Sequence, residues 1–383
     1  MFENRLKDMF KIDNCNLVLV VVGIHFLLFF MLVIYYLMSK KGKKEYGQIE
    51  NQKFESTEGC VGGSIDINGY NAVNGIALFD KGNSFSFNLP KIEGNGEDAD
   101  PYCFINDRYV ILSVFDGLGG AGSQKLTIDN KTESSAFFAS RFVRKCMDGF
   151  FLQNLNIKVE KDDSPNKVID FLKNEFSTYL KDKLSQFVVE NEIPSSKIKS
   201  SLIKALPTTI ASLLIINKVD SFKVDCYSFW AGDSRAYRLG ETVGLQQLTI
   251  DDLKQKGDAF ENLFNDSKMS NFISPDLDIP SVFLVCSDGC FDYLPTPMDF
   301  EYLLLDSMQK SKSLDEWLGE IKNELALIPV GDDSSLCLFY CGWGSIREMQ
   351  KSFEERYRLV KKIYIDKIES LRKEVKEINS MID

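Results

Sequence analysis

The sequence predicts an α+β fold: a central antiparallel β-sandwich flanked by helix pairs, preceded by one transmembrane helix and followed by a long amphipathic helix. Three observations carry that reading. An uncharged apolar run occupies residues 15–38. Short β-rich runs gather at both ends of residues 60–343, with helix-period segments between them. The last forty or so residues repeat apolar positions in steps of three and four.

Residues 1–14 form a short polar flank. The run from Cys15 to Met38 has the length of a helix that crosses a bilayer, which takes about 20 residues. It is too long for a signal-peptide core and no small-residue cleavage pattern follows it. It is apolar on every face, unlike a helix on a globular surface. Lys40, Lys41, Lys43 and Lys44 follow at once, whereas the other flank mixes Arg5, Lys7 and Lys11 with Glu3, Asp8 and Asp13. This lysine cluster predicts a single-pass membrane protein with its C-terminal domain in the cytoplasm. Residues 39–59 read as a polar linker.

Within residues 60–343 the expected strands are Ala77–Phe79, Ser84–Asn88, Tyr109–Phe115, Thr209–Ile216, Lys223–Phe229, Ser234–Arg238, Ser281–Val285 and Ser335–Tyr340. The expected helices are Glu133–Phe151, Asn166–Val189, Pro297–Met308 and Leu314–Ala326. Phe137, Phe138, Phe142 and Cys146 share one helical face, read as core. In residues 344–383, Ile346, Met349, Phe353, Tyr357, Val360, Tyr364, Ile368, Leu371, Val375, Ile378 and Ile382 mark one long amphipathic or coiled-coil helix. It either docks on the domain or pairs with another helix, a second copy included, through residues 345–382.

Composition excludes several chemistries. The net charge of −11 and the lack of a broad basic patch predict no nucleic-acid partner. The one histidine, His25, lies in the apolar run, so the rest of the chain can build neither a Ser-His-Asp nor a Cys-His apparatus, nor a His-ligated metal site. The nine cysteines are dispersed without zinc-knuckle spacing, as in a protein of a reducing compartment. Carboxylates, backbone groups and bound ions are left to do chemistry.

Four acidic motifs stand out: Gly96-Glu97-Asp98-Ala99, Phe115-Asp116-Gly117-Leu118-Gly119-Gly120, Ser287-Asp288-Gly289 and Gly331-Asp332-Asp333. The second and third end apolar strands and the fourth precedes one. A carboxylate at a strand end beside glycine suits a hard divalent cation, because glycine lets the backbone turn and offer a carbonyl. Oxygen donors without histidine point to Mg²⁺ or Mn²⁺ rather than Zn²⁺. Singly, an Asp-Gly pair is a turn signal. Between the second and third motifs lie Pro207-Thr208-Thr209-Ile210-Ala211, Gly232-Asp233-Ser234-Arg235 and Leu248-Thr249-Ile250-Asp251-Asp252.

This ordered set resembles the metal-dependent protein phosphatase 2C family, of the bacterial type, over roughly residues 84–342. The resemblance implies a β-sandwich flanked by helices and hydrolysis of phosphoserine and phosphothreonine in proteins, with two divalent cations, Mn²⁺ or Mg²⁺, as cofactors. Asp116 matches the aspartate that bridges both ions, Gly117 a carbonyl ligand, and Asp288 and Asp332 the remaining direct ligands. Together Asp116, Asp288 and Asp332 are the catalytic set. Glu97, Asp98 and Asp233 match residues that hold metal-bound water or lie just outside the ligands. The implied partners are a phosphorylated protein and a kinase whose action the domain reverses. The chain departs from the family at Glu93, where an arginine usually grips the phosphate, and Lys91 and Lys125 are the candidate replacements. Leu118 stands for a histidine common in eukaryotic members, Lys204 for an aspartate near the Thr-Thr motif, and Asp333 for an asparagine. The Glu93 departure keeps a second expectation in view, a catalytically weak pseudophosphatase that binds a phosphoprotein or kinase.

Overall fold

The computed structural model describes residues 79–94, 96–119, 124–159, 165–194, 206–218, 222–251, 269–328 and 331–382, together with the short strands β1, Ala72–Val73, and β2, Ile76–Ala77. The chain divides into two units, Met1–Glu55 and Ser56–Asp383, and all described residues belong to the second. The proposed span at 15–38 lies outside them. Among the described residues no helix is long and apolar enough to cross a membrane.

Two five-stranded antiparallel sheets form the centre. The first has the order β11 (Gly244–Gln247), β10 (Arg235–Gly240), β13 (Ser281–Cys286), β14 (Ser334–Cys341), β3 (Ser84–Leu89). The second has the order β12 (Ser270–Asp278), β9 (Lys223–Ala231), β8 (Ile210–Asn217), β5 (Tyr109–Phe115), β4 (Ala99–Ile105). The residues between Phe115 and Ile210 include a separate hairpin, β6 (Lys125–Ile128) and β7 (Lys131–Ser134).

Strand periodicity explains why the sheets stack. Alternate residues of a strand face opposite sides. In β5, Val110, Leu112 and Val114 join Phe283, Val285, Cys337 and Phe339 between the sheets. Tyr109, Ile111 and Phe115 face the other way, against Val143, Met147 and Phe151 of helix α1, Ser135–Val159. In β13 and β14, Val282, Leu284, Leu336 and Leu338 face outward onto Phe300 and Leu304 of α4, Pro297–Lys310, and Trp317 and Ile321 of α5, Leu314–Ala326. Both faces of each sheet are covered, so these strands read as unbroken apolar runs. The expected sandwich with helices on its outside is thus found.

The second helical region is α2, Pro165–Asp170, a π-helical turn at Phe171–Phe176, and α3, Ser177–Glu190. The tail is α6, Ile346–Val360, a π-helical turn at Lys361–Ile365, and α7, Asp366–Ile382. Ser345 caps α6 by accepting from the Glu348 N–H at 3.3 Å, and the Glu348 carboxylate accepts from the Gly344 N–H at 2.9 Å, a reciprocal cap. Met349, Phe353 and Val360 are buried against the α4 layer, so the first half of the tail docks on the domain.

Several expected boundaries change. Helix α1 starts at Ser135; Glu133 belongs to β7, which the hairpin turn carries back from β6. Asp129 and Asn130 at that turn have φ of 50° and 64°, the backbone that a tight two-residue hairpin requires. The strand expected at Ala77–Phe79 overlaps β2, Ile76–Ala77, and leaves Phe79 outside any strand, and Ser234 precedes β10 rather than opening it.

Candidate active site

The acidic motifs all fall at one end of the sandwich. Asp116 follows β5, Asp233 follows β9, Asp288 follows β13, and Asp98 and Asp333 directly precede β4 and β14. Strand pairing sets this coincidence: Ala99 is opposite Phe115, Val114 opposite Ala211, Arg235 opposite Cys286, and Cys286 opposite Leu336.

Hydrogen bonds then join motif to motif. The Asp116 carbonyl accepts from the Thr208 hydroxyl at 2.7 Å and the Thr209 N–H at 2.9 Å. Thr209 Oγ1 shares a 2.8 Å hydrogen bond with Ser234 Oγ. Ser287 N–H donates to the Ser335 carbonyl at 2.9 Å, and Ser335 N–H returns one to Ser287 Oγ at 2.8 Å. Asp333 ties the fourth motif to the first. Its Oδ1 accepts from the Lys91 N–H at 2.8 Å, and its Oδ2 accepts from the N–H groups of Glu97 and Asp98. Gly117 N–H donates to Asp98 Oδ1 at 3.3 Å.

The glycines are needed for close approach. A Cβ on Gly117 would lie 2.5 Å from the Glu97 carbonyl oxygen, and one on Gly119 1.6 Å from Glu97 Oε2. At Gly117 the obstacle is backbone, so no side chain fits without moving the first motif, whereas at Gly119 it is the movable end of the Glu97 side chain. From outside, α1 holds the same loop: Ser140 Oγ and Arg141 Nη1 donate to the Glu97 carbonyl at 2.6 and 3.2 Å, and Arg141 Nη2 to the Gly96 carbonyl at 3.2 Å. Arg141 and Asp333 are anchors that the sequence reading missed in this role. Asp333 had a signal in its Gly-Asp-Asp motif, while Arg141 looks like any polar residue of an amphipathic helix.

The carboxylates repel one another. Asp116 is 7% exposed. Burial first, then the charges of Asp288, Asp98, Asp233 and Asp332, push its carboxyl well above the ordinary range. Burial and the neighbouring Asp233, Asp332 and Asp98 push Asp288 up to about 8. Burial and Asp333 push Asp98 up to about 7. Burial and the charges of Asp251 and Asp292 push Asp233 up to about 6. Asp98 Oδ2 and Asp233 Oδ1 are buried without a hydrogen-bond partner. Like-charged buried carboxylates are costly unless protonated or matched by cations. The Arg235 guanidinium offsets this only in part: it acts to lower Asp233 while making a two-pronged pair with Asp251 at 2.9 and 2.7 Å.

This donor set fits hard divalent cations. Among the described residues no three His, Cys, Asp or Glu side chains form a ready metal cage. A Mg²⁺-type ion does not need one, since it keeps several waters and takes only one or two carboxylates. Of the expected ligands, Asp116, Asp288 and Asp332 interact electrostatically as one group. Asp332 sits at the exposed rim, where its Oδ1 accepts from the Asp333 N–H at 2.9 Å. The Gly117 carbonyl accepts from the Gly119 N–H at 2.7 Å. The seven described cysteines are all buried and free.

A cleft of about 450 Å³ opens beside this cluster, lined by Lys91, Lys125, Glu97, Phe137, Asp332 and Asp333 among others. Both lysines singled out as phosphate-binding candidates thus line one cleft, one from the β3–β4 loop and one from the β6–β7 hairpin. Glu93, by contrast, lies on an exposed turn and is not part of the lining.

No known protein-family profile matches this chain, nor does any curated protein sequence. Solved structures of similar fold do exist. The S. agalactiae serine/threonine phosphatase is 14% identical with a TM-score of 0.48, over 68% of this chain and 99% of its own. The Mycobacterium tuberculosis serine/threonine phosphatase PstP/Ppp is 16% identical with a TM-score of 0.44, over 68% of this chain and 98% of its own. The catalytic domain of PstP in complex with two manganese ions is 15% identical with a TM-score of 0.42, over 68% of this chain and 98% of its own.

Proposed function

We propose that this chain is a metal-dependent protein serine/threonine phosphatase of the phosphatase 2C class. In this reading residues 15–38 hold it at a membrane, and the catalytic domain works on the cytoplasmic side against a protein kinase. The observation that carries the proposal is the cluster of buried carboxylates Asp116, Asp288, Asp98 and Asp233, linked through the charge of Asp332 to a cleft that Asp332, Lys91 and Lys125 line.

Asp116, Asp288, Asp332 and the Gly117 carbonyl would hold two divalent cations, Mn²⁺ or Mg²⁺. Glu97, Asp98 and Asp233 would orient water around them. When bound, such ions lower the pKa of water and offset the charge that builds on a phosphoryl group. The protein's own part is to fix the carboxylates and position the substrate. Thr208 and Thr209 hold the Asp116 backbone, Asp333 clamps the loop that bears Glu97 and Asp98, and α1 backs that loop through Ser140 and Arg141. Lys91 and Lys125 supply positive charge to a phosphate in the cleft, as point charges rather than the planar fork of an arginine.

Among the described residues no arginine lines this cleft, the one observation that favours the second reading, a weakly catalytic module that binds a phosphoprotein or kinase. Hydrolysis of a generic aryl phosphate separates the two. A phosphatase releases the phenol when Mn²⁺ or Mg²⁺ is supplied and stops when the ion is chelated. A binding module releases none under either condition.

A further inference from the structure

The tail helix changes character at its π-helical turn. Before it, Met349, Phe353 and Val360 are buried in the domain. Tyr364 anchors the turn itself, its hydroxyl hydrogen-bonding to Thr296 Oγ1. Beyond Tyr364 the helix runs on through Ile382, yet Leu371, Val375 and Ile378 are 50%, 57% and 57% exposed. Ile368 is half-buried. These four residues follow in steps of three, four and three, which puts Ile368 and Val375 at heptad positions a, and Leu371 and Ile378 at positions d. A seam of this kind on a helix already formed and anchored is a coiled-coil half without its partner.

From this seam we infer that α7 pairs with α7 of a second copy of the chain, in antiparallel orientation. The flanking charges choose both the partner and the direction. Lys367 and Glu374 occupy the g positions and Arg372 an e position, and all three are exposed. In a parallel homodimer each g residue meets the e residue five places on in the other helix. Lys367 would then face the partner's Arg372, twice by symmetry. In the antiparallel pair the layers join Ile368 to the partner's Ile378 and Leu371 to the partner's Val375. That register sets Lys367 beside the partner's Glu374, again twice. Antiparallel self-pairing therefore converts two repulsions into two attractions, while the same four residues fill the apolar layers in different pairs.

Sedimentation equilibrium of the full-length chain, held in one detergent throughout, tests the inference. Dimer is expected for the wild type and is lost in Leu371→Ser/Val375→Ser, both on the exposed face. Lys367→Glu sets glutamates against the partner's Glu374 and raises the dimer Kd by about tenfold at low salt. The swap Lys367→Glu/Glu374→Lys restores it. Self-association through the 15–38 segment would be indifferent to these charges. The inference is overturned if the wild type stays monomeric, as it would were another protein's helix the natural partner. It is equally overturned if Lys367→Glu tightens the dimer, which is the parallel result, or if no tail substitution changes association.

Discussion

Gly289 rests directly on Asp333: a Cβ at Gly289 would stand 2.0 Å from the Asp333 carbonyl oxygen and 3.0 Å from Ser334 Oγ. The glycine of the Ser-Asp-Gly motif is thus the surface against which the Gly-Asp-Asp motif packs. Asp288 and Asp332 take their places from that contact. Gly289→Ala cannot be absorbed by a flexible side chain, because the obstacle is backbone. It is expected to cost about 2 kcal/mol of stability and to displace Asp288 from Asp332. Thermal unfolding and the activity of the same preparation check this, with activity falling further than the folded fraction does.

The tail is held by an ion pair as well as by apolar contact. Arg356 makes two hydrogen bonds to Glu301, at 2.6 and 3.0 Å, and Glu301 is only 3% exposed. Removing the cation alone strands a buried carboxylate. Arg356→Ala is expected to lower stability by about 3 kcal/mol. Arg356→Ala/Glu301→Leu should lose clearly less, because no charge is left unpaired. Denaturant unfolding of the three proteins measures the difference.

Asp306 gives the tail a pH dependence. Burial acts to raise its carboxyl, but Lys310 and the hydroxyls of Tyr357 and Tyr302 outweigh it and hold the group below its ordinary value. A carboxyl lowered on folding stabilises the folded state above its unfolded pKa. That contribution is lost as pH falls through the folded pKa. The stability gap between wild type and Asp306→Asn is therefore expected to be constant near neutrality and to close below about pH 4. Urea titrations of both proteins across that range read the gap directly.

The covered strands and the acidic motifs were legible in the sequence because each has a local cause. The apolar runs of β5, β13 and β14 follow from having a layer on both faces, and the Asp-Gly pairs mark strand ends. Among the strands that went unread are β4 and β12, both sheet edges. Each carries a proline, Pro101 and Pro275, at a place where the pairing register shifts. Asp276 beside Pro275 has a φ of 55°. Proline is tolerated at an edge or bulge, where no ladder hydrogen bond is lost, but in a sequence it reads as a strand breaker. The β6–β7 hairpin had a signal in Asp129-Asn130, hidden by the helical pattern that follows. The two π-helical turns leave no mark in residue spacing. Nor could the sequence tell that Asp333 spends its carboxylate on backbone N–H groups while Asp332 stays at the rim, since that depends on the β3–β4 loop folding over it.

The central claim is that Asp116 and its neighbouring carboxylates hold divalent cations that drive phosphoester hydrolysis. It is tested most directly by titrating Mn²⁺ into metal-stripped full-length protein and measuring inorganic phosphate released from a phosphoserine peptide. The wild type is expected to release none before Mn²⁺ is added and to reach a saturating rate as it is titrated, while Asp116→Asn, correctly folded, stays at background throughout. Phosphate release at full rate from the stripped protein, or an Asp116→Asn titration that matches the wild type, would contradict the account.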